Sequence, residues 1–189
     1  MNALLTRFGR FGLTVLVLVI IQTLILIWMV AGRVMILRSP DVVTLQSEPV
    51  DPRDLFRGDY VILSYAISSL SFTEINGDMK WQDGDTVYVE LTPAQDTWRA
   101  VAAFHATVVP ALGNKIIRGR IDYLDETRNV ANVNYGIERY YVPEGEGRAL
   151  EEERNKRALS VDVALATSGE AAVKGIRIDG EPVYVEPVF

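Results

Sequence analysis

The sequence predicts a mainly β domain, an antiparallel sandwich or barrel with one polar helix, preceded by a single N-terminal transmembrane helix. Three observations lead to this prediction. A long apolar run lies near the N-terminus, about eight short segments with strand character follow it, and turn residues separate those segments at roughly ten-residue intervals. The pattern does not distinguish a sandwich from a barrel.

The apolar run extends from Phe11 to Ala31. It contains no charged residue, and its polar side chains are limited to Thr14, Gln22 and Thr23. A helix needs roughly 20 such residues to cross a bilayer, so we predict that this segment lies in the lipid bilayer as a transmembrane helix. The apolar region of a cleaved signal peptide is shorter, about 7 to 15 residues, and small residues follow it. Bulky and basic residues follow here, which favours an uncleaved signal anchor.

Basic residues flank both ends of the run, with Arg7 and Arg10 before it and two further arginines after it. Together with the free amino terminus, the first pair favours a cytoplasmic N-terminus under the positive-inside rule. We therefore interpret residues 1–38 as a cytoplasmic tip and a transmembrane signal anchor. Residues 39–189 are interpreted as an extracytoplasmic β-rich domain.

The charge and cysteine content exclude several kinds of partner and site. The chain carries 19 basic and 25 acidic residues, and four of the basic residues precede the first acid, Asp41, so the net charge from Asp41 onward is −10. A domain of this sign repels nucleic acid, so we expect no nucleic-acid partner. Because the chain has no cysteine, disulfides, redox thiols and cysteine-based metal sites are excluded, and an apolar core must stabilise the domain.

The segments predicted as strands share period-two alternation or a β-branched and aromatic composition. They are Val42 to Gln46, Tyr60 to Ile67, Thr86 to Leu91, Trp98 to Val109, Ile116 to Tyr123, Tyr135 to Val142, Leu159 to Ala166, Ala171 to Ile178 and Pro182 to Val188.

Arg148 to Ala158 has the pattern of a polar helix, because two glutamates each face a basic residue four positions further on. Few of its side chains are apolar, so we interpret it as a solvated connector on the outside of a sheet. Tight turns are predicted at Asn76-Gly77 and at Asp179-Gly180. The secondary structure between Ser68 and Trp81 otherwise stays open.

The segment Gly58-Asp59-Tyr60 joins a turn to an alternating strand. That strand has the pattern of a sheet with one fully buried side; Leu63 and Tyr65 share a face, and Tyr60 lies on the other face. The preceding residues, Pro52 to Arg57, have the capping and terminating residues of a single helical turn. This turn would set the direction in which the strand begins.

Four residues around this segment form a candidate binding site: Arg53, Arg57, Asp59 and Tyr60. Two interpretations are open. In the first, the arginines pair with Asp59 and with neighbouring acids, and the network fixes the start of the strand. In the second, the arginines bind an anionic ligand or a partner segment, and Tyr60 forms an aromatic wall.

The sequence contains no recognisable catalytic constellation. His105 is the only histidine and lies in an apolar segment, so we interpret it as a structural residue and not as part of a catalytic relay. A single histidine also excludes a multi-histidine metal site. The glycine pair around Glu146 places a carboxylate where a phosphate would bind. We therefore predict no metal, no cofactor and no catalytic residue, and a non-enzymatic role is favoured over an enzymatic one.

The pattern Gly58-Asp59-Tyr60-x-x-Leu63-x-Tyr65 is similar to the signature for which the GDYXXLXY family of bacterial membrane proteins is named. Two later segments, Tyr135 to Gly145 and Lys174 to Gly180, resemble further blocks shared by that family. The resemblance implies a membrane-associated bacterial protein whose biochemical function is uncharacterised. It also implies a partner, since members tend to accompany a multi-spanning membrane protein, but it assigns no catalytic residue.

These observations lead to one main hypothesis. The chain is interpreted as a single-pass protein of the bacterial inner membrane, with a periplasmic domain that acts as a non-enzymatic assembly or interaction module for a multi-spanning membrane protein. The alternative is an extracytoplasmic hydrolase or a small-ligand-binding domain, with its site around Gly58 to Tyr65.

Overall fold

The computed structural model describes residues 2–48, 60–78, 80–141 and 159–186, and for residues 2–11, 60–62 and 141 it describes the backbone only. The chain divides into two compact units, Met1–Met35 and Ile36–Phe189. The helical turn predicted for Pro52 to Arg57 and the polar helix predicted for Arg148 to Ala158 lie outside the described residues.

The first unit is helical. A single helix, α1, spans Asn2–Leu37 and includes the whole predicted apolar run. Its 26 residues from Gly12 to Leu37 are long and apolar enough to cross a membrane, and the most apolar part of this stretch is not buried against protein. The length and composition of the helix fit a membrane anchor and a signal sequence alike.

The second unit is built from strands, which are numbered here in chain order. They are β1 (Val42–Glu48), β2 (Tyr60–Ile62), β3 (Ser64–Tyr65), β4 (Ser69–Ser71), β5 (Asn76–Gly77), β6 (Thr86–Ala94), β7 (Thr97–Phe104), β8 (Lys115–Asp125), β9 (Val130–Asn134), β10 (Arg139–Tyr141), β11 (Leu159–Leu165), β12 (Ala171–Ile178) and β13 (Glu181–Val185).

Two large sheets form the body of this unit. One has the order β13-β12-β11-β1-β3 and the other has the order β4-β9-β8-β6-β7-β5, while β10 and β2 pair separately. The described pairings are antiparallel except for the parallel contact between β5 and β7. The sheets form a half-barrel, so the mainly antiparallel β prediction is confirmed, and the architecture lies between the two alternatives left open.

A single apolar core fills the space between the sheets. Leu45 and Leu159 of one sheet and Leu91, Ile117 and Ile121 of the other are almost completely buried within it. Each such side chain contributes roughly 1.5 to 3 kcal/mol by leaving water. In β1 burial alternates along the strand, and every second residue faces the core. A core of this kind supplies the stability that the cysteine-free sequence required.

The strand predicted from Tyr60 to Ile67 is divided in the structure. Its first part, β2, pairs with β10, and its second part, β3, pairs with β1. Leu63 lies between them and donates its backbone N–H to the carbonyl of Glu138 at 2.8 Å. A short 3₁₀ helix then replaces the predicted strand end at Ala66–Ser68. Leu63, Tyr65 and Ile67 were predicted to share a face, and all three are buried, but alternation does not reveal a change of partner strand.

Asn76-Gly77 does not form the predicted turn. The two residues form β5, which runs parallel to β7. Gly77 has a φ of +117°, and a Cβ at this position would collide with the carbonyl oxygen of Ala103. The glycine therefore permits a close approach of two backbones. The other predicted turn, Asp179-Gly180, joins β12 to β13 with positive φ at both residues, as a tight hairpin requires.

Two other predicted strands are too long. In the segment from Tyr135 to Val142, of which residues 135–141 are described, the strand begins only at Arg139, because residues 135–138 form an irregular turn in which Gly136 has a φ of +76°. The segment from Trp98 to Val109 ends as a strand at Phe104. The strand at Val130–Asn134 was missed, since its asparagines interrupt the apolar pattern.

Candidate functional site

The described part of the Gly-Asp-Tyr signature packs against the irregular turn at residues 135–138. Tyr65 donates its hydroxyl to the carbonyl of Ile137 at 2.7 Å, and Tyr135 donates its hydroxyl to the carbonyl of Ile67 at 2.7 Å. Both tyrosines are buried. Each hydroxyl therefore satisfies a backbone acceptor in the other segment. We call these four residues the tyrosine cross.

Glu138 supports the tyrosine cross through both its side chain and its backbone. Its carboxylate accepts a hydrogen bond from the Tyr135 N–H at 2.5 Å, and its carbonyl accepts the Leu63 N–H. Burial raises the pKa of the Tyr65 and Tyr135 hydroxyls well above the usual tyrosine value, and the negative charge of Glu138 raises both further. Both phenols therefore remain neutral donors at physiological pH.

A glycine in the middle of β8 makes room for one of the two rings. A Cβ added at Gly119 would lie 2.5 Å from Cγ1 of Val133 and 2.9 Å from the Tyr135 ring. Glycine in a strand interior weakens the strand, because it loses more backbone entropy on folding than other residues and has no side chain to pack. Its presence here is explained by the close approach of the Tyr135 ring.

The structure describes only part of the predicted site. Gly58 and three of the four candidate binding residues, Arg53, Arg57 and Asp59, lie outside the described residues. The fourth, Tyr60, is placed by its backbone opposite Tyr141 in the pairing of β2 with β10. The binding role of this set stays a prediction.

The remaining signature residues, Leu63 and Tyr65, were predicted to share a face, and both are buried. Their contacts are with the protein's own backbone, through the Leu63 N–H and the Tyr65 hydroxyl. The buried hydroxyls of Tyr65 and Tyr135 are already bonded to backbone carbonyls, so neither is available to a substrate. The described half of the signature therefore acts as structural support.

A second cluster was missed by sequence reasoning. His105 lies just beyond β7 and not within it, with 42% of its side chain exposed. Its ring stacks on Trp81 at a centroid distance of 3.8 Å, and Trp81 stacks on Phe72 at 5.2 Å. One carboxylate oxygen of Asp78 accepts the His105 N–H at 2.8 Å and lies 3.1 Å from Nδ1 of the ring. These hydrogen bonds lower the pKa of Asp78 below its usual value.

The chemistry available at this cluster is narrow. An aspartate bound to a histidine is the orienting half of a general-base relay. In the described part of the chain, however, both hydrogen bonds of His105 go to Asp78, and neither goes to a hydroxyl nucleophile. Among the described residues there is also no group of three or more metal-ligating side chains. No local sequence signal predicts the cluster, since the parallel pairing of β5 with β7 creates it.

The outer strand of the five-stranded sheet carries exposed apolar residues. Val183 and Val185 of β13 are 58% and 65% exposed. Between them, Tyr184 packs edge-on against Tyr140 at a centroid distance of 5.6 Å. Tyr140 donates its hydroxyl to the carboxylate of Glu186 at 3.1 Å. Tyr184 is therefore fixed to the domain, while the valines on either side of it are exposed.

Among the described strands, β13 pairs only with β12, so its outer edge is unpaired there. The contact between Tyr140 and Tyr184 also joins this edge to β10, which immediately follows the turn of the tyrosine cross. The turn that binds the signature strand is therefore connected to β13 through β10 and the contact between Tyr140 and Tyr184. Unpaired strand edges are sites at which a further strand can be added.

Comparison with protein families shows which family the chain resembles. The family described as GDYXXLXY protein matches residues 22–176, which is more than half of the chain and includes both segments of the tyrosine cross. No curated protein and no solved structure matches the chain.

Proposed function

The chain belongs to the GDYXXLXY protein family, and on that premise we propose that it is a membrane-anchored, non-enzymatic assembly or interaction module for another membrane protein. The observation that carries the proposal is the outer edge of β13. Val183 and Val185 are exposed there beside backbone groups that no described strand pairs with. An extended segment of a partner can form main-chain hydrogen bonds along such an edge and cover the two valines.

The proposed partner is a multi-spanning protein of the same membrane, the bacterial inner membrane, with the domain on its periplasmic side. The arginines that precede the apolar run support this orientation under the positive-inside rule. Anchoring both proteins in one bilayer raises their effective concentration relative to each other. A short edge contact can therefore suffice for a stable association.

Co-purification from mild detergent tests the proposal. We expect the full-length protein to co-purify with a membrane partner, and Val185→Glu to reduce the recovered partner several-fold, because the change places a charge on the proposed contact. Tyr123→Glu is the matched control, since Tyr123 is also exposed but lies on β8, which is paired along both edges. A wild-type protein that is recovered alone, or equal loss with both variants, would contradict the proposal.

The alternative, a hydrolase or a small-ligand-binding domain, would build its site from Arg53, Arg57, Asp59 and Tyr60. In the described part of the signature, Leu63 and Tyr65 are buried and contribute no binding group. The edge of β13 is the better-supported surface.

A further inference from the structure

The loop between β7 and β8 has an apolar tip. Residues 106–114 contain no charged side chain. Val109 is 95% exposed and Leu112 is fully exposed, so two large apolar side chains of the loop tip are in contact with solvent. Exposed apolar residues grouped on one loop mark a surface that is covered by something else in the assembled state.

Hydrogen bonds to the neighbouring strand β6 hold the loop in this conformation. Glu90, a buried residue of β6, accepts hydrogen bonds from the Ala111 N–H and from the side-chain amide of Asn114, both at 2.8 Å. The Asn114 N–H returns to the carbonyl of Ala111 at 2.9 Å. Because the backbone is already ordered, little conformational entropy is lost when the tip is covered.

Within the second unit, the base of the loop lies beside the first residues that follow the apolar span. Leu37 is buried, and Ser39 donates its hydroxyl to the carbonyl of Leu165 at 2.6 Å. The carboxylate of Asp41 binds the ammonium of Lys115, which begins β8.

Asp41 and Lys115 also line a cleft of about 220 Å³ together with Thr107, Val108 and Pro110. The segment at which the chain leaves α1 and the apolar loop therefore belong to one edge of the domain.

Charge at this edge differs from that of the whole domain. Residues 97–121 contain no acid. Among the acids that reach this stretch from elsewhere, Asp41 pairs with Lys115 and Glu170 pairs with Arg118 at 2.9 Å. Asp78 binds His105, and the carboxylate of Glu90 is buried under the loop, where Ala111 and Asn114 donate hydrogen bonds to it. Repulsion from anionic headgroups, which the domain's net negative charge would produce elsewhere, is therefore weak here.

We propose that the tip of this loop, with Val109 and Leu112, inserts into the headgroup region of the bilayer that α1 spans. The inference rests on the proposed anchoring of α1 in a membrane. A lipid surface accepts small exposed apolar tips that carry no charge, and the loop shares its edge with the segment that leaves the apolar span. The domain would then be held at the membrane surface at two points, which restricts its rotation about the end of α1.

Because the chain has no cysteine, single cysteines carrying an environment-sensitive fluorophore can test the inference in the full-length protein. The protein is placed in nanodiscs of phosphatidylcholine with a minor fraction of phosphatidylglycerol. Labels are placed at Leu112→Cys, at Ile20→Cys within α1, and at Glu126→Cys in the exposed turn after β8. Since β8 has 11 residues, Glu126 lies on the order of 35 Å from the loop.

We expect the Leu112 label to be quenched several-fold less by a water-soluble quencher than the Glu126 label, and the Ile20 label to be the best protected. Equal quenching at Leu112 and Glu126 with a protected Ile20 would overturn the loop contact and leave the anchor intact. Accessible labels at both Ile20 and Leu112 would overturn both proposals. A Leu112 label that becomes protected only when a partner protein is added would assign the tip to a protein contact and refute the lipid one.

Discussion

Tyr65 and Tyr135 each donate a hydroxyl hydrogen bond to a carbonyl two residues from the other tyrosine, at Ile137 and Ile67. The two residues come from segments about seventy positions apart, so this reciprocal contact fixes the signature strand to the turn before β10. The last tyrosine of the family signature is therefore explained by packing and hydrogen bonding.

Removing either hydroxyl should destabilise the domain. We expect Tyr65→Phe and Tyr135→Phe each to lower the free energy of unfolding by about 1 to 3 kcal/mol, because each leaves a buried carbonyl without its donor. Urea denaturation of the detergent-solubilised protein measures the change, and Tyr123→Phe on the exposed face of β8 is the control. Unfolding midpoints that stay at the wild-type value in both variants would refute the supporting role of the tyrosine cross.

The glycine in β8 should not tolerate a methyl group. Gly119→Ala is expected to lower the free energy of unfolding by about 1 to 3 kcal/mol, because the added Cβ overlaps Val133 and the Tyr135 ring. Gly32→Ala serves as the comparison, since the space around Gly32 is open. If both alanines leave the thermal midpoint unchanged, the ring does not need the room that the glycine provides.

The carboxylate under the apolar loop should control the order of the loop. We expect Glu90→Ala to speed amide hydrogen exchange at Ala111 several-fold, because the N–H of Ala111 loses its acceptor. Glu90→Gln keeps one acceptor oxygen and should restore most of the protection. Unaltered exchange in Glu90→Ala would show that the loop is ordered by other contacts.

The pair formed by Asp78 and His105 should make stability depend on pH in acid. The hydrogen bonds from His105 lower the pKa of Asp78 below 3.8 in the folded state, so its charged form is stabilised by folding. This contribution is fully present above pH 3.8 and is lost as the pH falls through the lower folded-state pKa. We therefore expect the difference in urea midpoint between wild type and Asp78→Asn to shrink as the pH falls below about 4.

A second variant checks the origin of that pH dependence. With His105→Ala the backbone donor remains but the ring is lost, so substitution of Asp78 should then produce a smaller difference with the same sign. A difference between wild type and Asp78→Asn that grows as the pH falls below about 4 would contradict the assignment.

Many of the strands and the grouping of residues on one face could be predicted because alternation depends on local sequence. The strand at Ala171–Ile178 was predicted with its observed bounds, and Leu63 and Tyr65 were predicted to share a face, which is buried in the structure. The change of partner strand at Leu63 could not be predicted, since a residue alternates in the same way whichever strand it pairs with.

The candidate site, too, could be predicted only where it depends on local sequence. The stack of Trp81 and His105 depends on a parallel contact between short segments that are distant in sequence, for which no local pattern exists. The proposed binding role of Arg53, Arg57 and Asp59 stays a prediction, since these residues lie outside the described ones.

The position of β1 in its sheet has a consequence for synthesis. Thr44 of β1 donates its hydroxyl to Asp162 of β11, a residue 118 positions later, so β1 leaves the ribosome long before this neighbour exists. At roughly 5 to 20 residues per second, the interval is on the order of ten seconds. During that time, β3 is the only one of the two sheet neighbours of β1 that has been synthesised, and completion of the sheet must follow release of most of the chain.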